Sequence, residues 1–313
     1  MTDMDESGEA APVSRHVPVM LREVLEFLAP QPGQVIVDGT VGGGGHAGEI
    51  ALRIGPEGLL IGLDRDPNML AIARRRVTGS RSLWDEANFA DLRAVLDQLG
   101  IDRVDAVLLD LGVASDQIDD ASRGFSFSQS GPLDMRMNPR IGEPAARVIN
   151  RLRPENLADI FYQYGEERHS RRIARAIVEA RERKEIETTE ELAQIIRRAM
   201  PRGKPWQRID PATRVFQALR IAVNDELASL EQGLAALPAC LMPGGRAVII
   251  SFHSLEDRLV KQAFRQRDRW EPLVKKPLTS SDQEVVRNPR ARSAKLRAAR
   301  RVERLELSVE SGR

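Results

Sequence analysis

Residues 34–46, Gln34-Val-Ile-Val-Asp38-Gly-Thr-Val-Gly-Gly-Gly-Gly-His46, decide how the rest of the chain is read. Residues 34–37 form a strand-like run, and a helix-like segment continues from Ala47 to about Ile54. Four consecutive glycines let the backbone turn sharply and approach a ligand more closely than any Cβ permits. The N–H groups that open the following helix then point into that space. A second apolar run, 59–63, ends in Asp64. A glycine turn after one strand and an acid at the tip of the next describe half of a nucleotide-binding βαβ unit.

Gly43, Gly45 and Gly48 satisfy the spacing of a dinucleotide fingerprint, but Asp38 weighs against a pyrophosphate. A carboxylate beside that group would repel it by about 4 kcal/mol per charge pair at an effective dielectric near 20. A ligand carrying a sulfonium and an ammonium would be attracted instead. S-adenosylmethionine (AdoMet) meets that description, with Asp64 accepting hydrogen bonds from its ribose hydroxyls. From this stretch alone, AdoMet, a dinucleotide and a plain glycine turn with a solvent-capped Asp all stay open.

The chain of 313 residues is long enough for one large or two modest domains. Apolar content of 42% with 30% charged residues indicates a soluble globular protein. The net charge of +1 conceals an uneven distribution. Residues 1–10 carry four acids and no base, and residues 1–14 read as a disordered acidic tail. Residues 287–301 carry seven bases and no acid, and residues 168–220 carry fourteen bases against seven acids. Two basic regions in a near-neutral chain point to a polyanion partner, with a solvated helical face as the plain alternative. Cys240 is the single cysteine, so neither an intramolecular disulfide nor a thiolate metal cluster is expected. His16, His46, His169 and His253 are isolated in sequence, so no metal site is expected. No run of 18 apolar residues is present, which predicts no membrane span. With an acidic start that lacks an apolar core, the expected location is cytoplasmic.

Along the chain, 19–28 is helical, Asp66 caps a helix opened by Pro67, and 82–89 is a poor strand whose position makes it the third of a sheet. After a helix at 92–99, residues 104–109 form a buried strand that delivers Asp110 at its carboxyl end, where ligands of doubly wound sheets collect. The next strand, 246–252, follows the Pro243-Gly-Gly turn more than a hundred residues later. Between them come a loop-rich stretch, 112–142, and helical segments at about 144–152, 154–164, 168–183 and 189–200. Thr188 and Glu191 have capping-box spacing. Residues 15–117 and 210–313 are therefore expected to form the ligand-binding α/β domain, and 118–209 an inserted helical subdomain. Asp210-Pro211 predicts one long helix bearing Val215, Leu219, Ala222, Leu227, Leu230, Leu234 and Leu237 on a face. Runs near 273–278 and 294–307 could close the sheet as a hairpin, joined by a basic connection, 279–293, poorly ordered by composition.

Two further stretches gather polar groups at strand ends: Asp110-Leu-Gly-Val-Ala-Ser-Asp-Gln117 and Ser251-Phe-His-Ser-Leu-Glu-Asp-Arg258. The second could be an ordinary connection in which Ser254 caps a helix and His253 is a satisfied surface histidine. Asp110 is harder to dismiss, because an acid on a buried strand needs a partner.

These stretches stand in one order with Asp64-Arg-Asp66, Arg123-Gly-Phe-Ser-Phe127, Gly131-Pro-Leu-Asp-Met-Arg-Met137 and Tyr164-Gly-Glu-Glu-Arg168. Phe216-Gln-Ala-Leu-Arg-Ile-Ala-Val-Asn-Asp-Glu-Leu227 and Asn288-Pro-Arg-Ala-Arg-Ser293 complete the set. Over about residues 16–302 the chain closely resembles the bacterial 16S ribosomal RNA (cytosine-N4)-methyltransferases, the MraW or RsmH family. The resemblance implies a class I AdoMet-dependent methyltransferase fold, a Rossmann-like doubly wound α/β sheet carrying an inserted all-helical subdomain. It implies methyl transfer to the exocyclic amine of a decoding-centre cytidine, with the 16S rRNA of the 30S subunit as partner. It places AdoMet against Gly44, Gly45, His46, Asp64, Phe89, Asp110 and Gln117. The Pro-Pro-aromatic signature of many amino-methyltransferases is missing after Asp110. The acceptor for N4 is therefore expected to be Asp110, with Ser251 and His253 as alternatives. The competing readings are an RNA-binding protein that has kept the fold without catalysis, and a dinucleotide oxidoreductase. The sequence does not specify an oligomeric state.

Overall fold

The computed structural model describes residues 18–201 and 210–302. The expected acidic tail, His16, Arg208 and the extended run beyond residue 302 lie outside the described residues. A first helix, α1 (Leu21–Leu28), leads into β1 (Val35–Asp38), α2 (Gly45–Ile54), β2 (Leu59–Leu63) and α3 (Pro67–Arg76). β3 (Arg81–Asp85), α4 (Leu92–Gln98) and β4 (Val104–Asp110) follow. These strands pair in parallel in the order β3-β2-β1-β4, so the strand order reverses between β1 and β4. Asp66 accepts from Asn68 N at 3.0 Å ahead of Pro67, the helix start expected for α3. β3 reads poorly because it is an edge strand with exposed and half-buried positions, which place little demand on apolar side chains.

After β4 the chain leaves the sheet for α5 (Ser115–Asp119), α6 (Ala145–Arg151), α7 (Pro154–Gln163), α8 (Ser170–Arg181), α9 (Thr189–Ala199) and α10 (Ala212–Asn224). It returns through α11 (Glu226–Cys240) to β5 (Leu241–Ser251), parallel to β4. Then come α12 (Ser254–Ala263), β6 (Trp270–Pro272), β7 (Leu278–Thr279), α13 (Asp282–Arg287) and β8 (Lys295–Arg301). β8 runs antiparallel to β5 and carries β6 and β7 on its other side.

Three sequence expectations need correction. The long helix from residue 210 is two helices, broken where Asp225 takes a left-handed conformation (φ 55°) that carboxylate and amide residues tolerate. The Pro243-Gly-Gly turn lies inside β5, as a bulge that shifts its register against β4. The 279–293 connection is ordered. Ser281 Oγ accepts from Glu284 N at 3.2 Å to cap α13, and a 3₁₀ turn, Pro289–Ser293, buries Ala291.

Both faces of the sheet are covered, which is why its central strands are continuous apolar runs. On β4, Ala106 and Leu108 face the layer of α1, α2 and α3, while Val107 and Leu109 face α4, α11 and α12. Truncating such a fully buried leucine to alanine costs about 2–5 kcal/mol. A third core binds the helices between β4 and β5, with Phe161, Ile173, Ile177, Leu192 and Ile196 at its centre. α10 joins this third core through Val215, Phe216, Ala218 and Leu219. On packing, the helical unit therefore runs past residue 209 to the break at Asp225.

Candidate active site

The carboxyl ends of β1, β2 and β4 open into a single cleft, partly enclosed by residues from both sides of the sheet's tip. Of the residues expected around AdoMet, Gly45, His46, Asp64, Phe89, Asp110 and Gln117 line it, and so do Thr40, Gly42 and Arg65. Gly44 does not. At φ +79° it turns toward α3, where a Cβ would stand 3.1 Å from Ala73 Cα and Val77 Cγ2. Its lack of a side chain serves helix packing and the turn.

Asp64 is held by backbone. Its Oδ2 accepts from Gly42 N and its Oδ1 from Asp66 N, both at 2.8 Å, while burial pushes its pKa up to about 6. Phe89 sits close against two glycines. A Cβ on Gly39 would meet its Cβ at 3.1 Å, and one on Gly233 its Cδ2 at 2.8 Å. Gln117 Oε1 accepts from Ala114 N at 2.9 Å, and its Nε2 donates to Asp66 Oδ2 at 2.8 Å. Asp66, fully buried, also accepts from Arg123 Nη1 at 2.6 Å. Arg123 Nη2 in turn donates to the carbonyls of Arg136 and Met137, so the loop that brings Met137 to the cavity is fixed to the loop that carries Asp66.

Asp110 N donates to Thr40 Oγ1 at 2.6 Å, which pins the tip of β4 to β1. Its Oδ1 is buried without a hydrogen-bond partner. Burial, with Asp38 and Glu256 nearby, raises its pKa well above the usual carboxylate range. His46 Nε2 lies 2.9 Å from the Val19 carbonyl oxygen and Nδ1 3.6 Å from Asp110 Oδ2. Asp38, read from sequence as the residue that discriminates against a pyrophosphate, is buried and does not line the cavity. Burial first, then the neighbouring Asp64, pushes it up to about 7.

The facing wall comes from Phe252, Glu256, Asn288 and Arg290, with Glu226, Ser229 and Leu230 of α11. Neither Ser251 nor His253 reaches the cavity. Ser251 is buried and donates from Oγ to Lys295 O at 3.3 Å, because alternation along β5 turns it away from the tip. His253, rather than Ser254, is the N-cap of α12; its Nδ1 accepts from Glu256 N at 3.4 Å. Ser254 instead donates to Glu166 Oε2 at 2.8 Å. Glu256 was not singled out from sequence, although it stands at capping-box spacing from His253. Its Oε2 accepts from Phe252 N at 2.8 Å. Burial would raise its pKa, but His253, Arg220 and that N–H together hold it below the ordinary range. Glu226, His253 and Glu256 have ligand-type atoms within 4.8 Å of one another. Arg220 grips Glu226 through two bonds of 2.8 Å, and the His253 Nδ1 lone pair is engaged by backbone. In this cluster Arg220 is paired with Glu226, and His253 Nε2 stands 3.2 Å from Glu256 Oε1.

On the helical unit, Arg168, two residues ahead of α8, and Arg171, Arg172 and Arg175 in its first turns are exposed. Arg197 is engaged within the protein: it pairs with Asp210 at 2.8 Å and lies over the Phe127 ring at 5.6 Å. Among the described residues no helix is long and apolar enough to cross a membrane.

Residues 13–302 match the family model described as the MraW methylase family. A protein of Syntrophotalea carbinolica named ribosomal RNA small subunit methyltransferase H is 52% identical, covering 93% of this chain and 99% of that protein. Proteins of the same name from Geobacter sulfurreducens (52% identical, 92% and 99% covered) and Deinococcus radiodurans (50% identical, 95% and 93% covered) are similar over the same extent.

Proposed function

Because the chain belongs to the MraW methylase family, we propose that it methylates the N4 amine of a decoding-centre cytidine in the small-subunit ribosomal RNA, with AdoMet as methyl donor. The observation that carries this reading is Asp110, a cavity-lining carboxyl group with one oxygen unpartnered, beside an acid, an aromatic ring and a glycine turn suited to a nucleoside. The residues fit AdoMet: Asp64 for the ribose hydroxyls, Phe89 for the adenine ring, and Gly45 and Gln117 around the methionine end. Bound there, AdoMet supplies an electrophilic methyl group on a sulfonium sulfur.

The protein's own task is positioning. Cytosine N4 is a poor nucleophile because its lone pair is delocalised into the ring, so the site must hold it within about 3–3.5 Å of the methyl carbon. Asp110 Oδ1 accepts a hydrogen bond from N4, which fixes the amine and draws electron density toward it. Phe252 offers a stacking face for a base taken out of its stack, and Arg290 and Asn288 stand where the flanking backbone would pass. The helical unit from residue 118 to α10 grips the surrounding RNA through the Arg168–Arg175 face. A cytoplasmic location accords with that substrate.

Mass spectrometry of 16S rRNA from cells lacking the protein is expected to show one decoding-centre cytidine without its N4-methyl group, restored by the intact gene. Unchanged methylation would overturn the assignment. Calorimetry should show binding of AdoMet and none of NAD.

A further inference from the structure

We propose that His46 and Asp110 form a proton-holding pair, in which Asp110 takes the proton released by the target amine and His46 is the positioning residue that aims Asp110 and shares that proton. The inference rests on the methyltransferase reading above and assigns the proton a destination.

Its first support is a fixed tautomer. A carbonyl oxygen only accepts, so the 2.9 Å contact with Val19 O requires Nε2 to carry hydrogen. Val19 and Met20 are buried, and Met20 N donates to Glu284 Oε1 at 2.6 Å, so that acceptor is anchored. Nδ1 therefore presents a lone pair to Asp110 Oδ2, 3.6 Å away. Two acceptors facing each other repel unless a proton lies between them, and such contacts tighten when a substrate closes the site. The second support is Asp110 Oδ1, which is buried and unpartnered and so remains available to the amine. The third is the surrounding charge. Asp38 of β1 and Glu256 of α12 face Asp110, and both raise its proton affinity, as burial does. The nearby cations are engaged elsewhere: Arg65, which lines the cavity, donates to the Asn224 carbonyl, Arg290 pairs with Asp119, and Arg220, behind the wall, pairs with Glu226.

The step balances without a further reactant. Asp110 accepts the N4 proton as the N–C bond forms and the S–C bond breaks. The positive charge lost from sulfur is replaced by a proton held between Asp110 and His46, which later passes to solvent. A corollary follows: a sulfonium beside the pair displaces its proton, and a thioether does not.

Calorimetry near pH 7 in buffers of different ionisation enthalpy tests this. Binding of AdoMet should release about one proton more than binding of S-adenosylhomocysteine. In His46→Gln, whose amide can still donate to Val19 O, that difference should fall by more than half. The pH profile of single-turnover methyl transfer should lose the limb attributable to the pair. A wild-type proton difference and profile in His46→Gln would overturn the proposal and leave His46 as an anchor for Val19. Should that variant not fold, ¹⁵N spectra of the His46 ring in the wild-type protein decide. A hydrogen-bonded or protonated Nδ1 with S-adenosylhomocysteine but not with AdoMet supports the pair, and identical spectra refute it. A wild-type protein that binds neither nucleoside, or leaves 16S rRNA unmethylated, would instead refute the methyltransferase reading.

Discussion

The two walls of the cavity are built on different principles. On the side proposed for AdoMet, Asp64 is oriented by the N–H groups of Gly42 and Asp66, within a single βαβ unit. On the facing side, Glu256 is set among Phe252, His253 and Arg220, and Arg290 reaches across 171 residues of sequence to Asp119 at 2.6 Å. On the first wall the acid is aimed by backbone N–H groups, with the buried Asp66–Gln117–Arg123 network behind it. The second is an assembly of side chains, and each member depends on the packing of another element. A nucleoside common to every turnover suits the first design, while a base that must be admitted and released suits the second.

Asp110 stands where the walls meet, and it should show the largest effect. Asp110→Asn is expected to slow single-turnover methyl transfer by about 10²–10⁴, the usual contribution of a proton-accepting group, with far smaller changes in AdoMet and RNA affinity. If cofactor binding falls as much as the rate, Asp110 belongs to the AdoMet wall alone.

Arg123 ties that wall to the Met137 loop. Arg123→Met leaves the fully buried Asp66 without its cation, and breaking a buried pair in this way costs about 3–5 kcal/mol. The denaturation midpoint measures the loss. A shift near zero would mean that Gln117 and Asn68 N suffice to hold Asp66.

Asp64→Ala should weaken AdoMet by about 10–150-fold, equivalent to ~1.5–3 kcal/mol for hydrogen bonds to a charged group, and leave RNA affinity unchanged. Wild-type affinity should also fall as pH drops below about 6, where Asp64 becomes protonated and accepts more weakly from the ribose hydroxyls. For the fold alone the sign is opposite. Burial raises Asp64 to about 6 and Asp38 to about 7. The stability linked to them is complete below the ordinary carboxylate pKa and is lost as pH rises through 6 to 7. Thermal unfolding at pH 5 and pH 7.5, with and without AdoMet, should therefore show the larger AdoMet stabilisation at the higher pH. Equal stabilisation at both would show that neither acid changes protonation on binding.

The smallest effect is expected on the helical unit. Arg171→Ala with Arg175→Ala should flatten the salt dependence of RNA binding by about one for each phosphate no longer neutralised, without changing the rate at saturating RNA. An unchanged slope would reduce this face to a solvated surface.

The wall that carries Asp64 was legible in sequence because its strand, turn, helix and acid are contiguous, and each announces itself by local chemistry. The helices of the inserted unit were legible for the same reason: Thr188 and Glu191 form their capping box as the spacing suggests, with Glu191 held down to about 2 chiefly by Lys184. What local chemistry could not give was direction. Gly44 lies in the glycine run yet faces α3, and Ser251 lies at a strand tip yet points inward. Met137, Glu226 and Glu256 reach the cavity only through tertiary packing. The break at Asp225 had a signal in the Asn224-Asp225 pair, which periodic apolar residues on either side concealed.

Asp110 of β4 pairs in register with Ile250 of β5, and the whole helical unit lies between them in sequence. During synthesis the ribosome releases β1 to β4 and then the inserted helices well before β5 exists. Until residue 250 emerges, β4 is an open parallel edge with no partner on one side. Closing so long a loop from an unstructured chain costs roughly 4 kcal/mol in entropy, whereas a helical unit that has already condensed through its local contacts brings the two ends of that loop together first. Chains ending at Cys240 should then show hydrogen-exchange protection in α7 to α9 and little in β1 and β4. The opposite pattern would mean that the sheet waits for nothing.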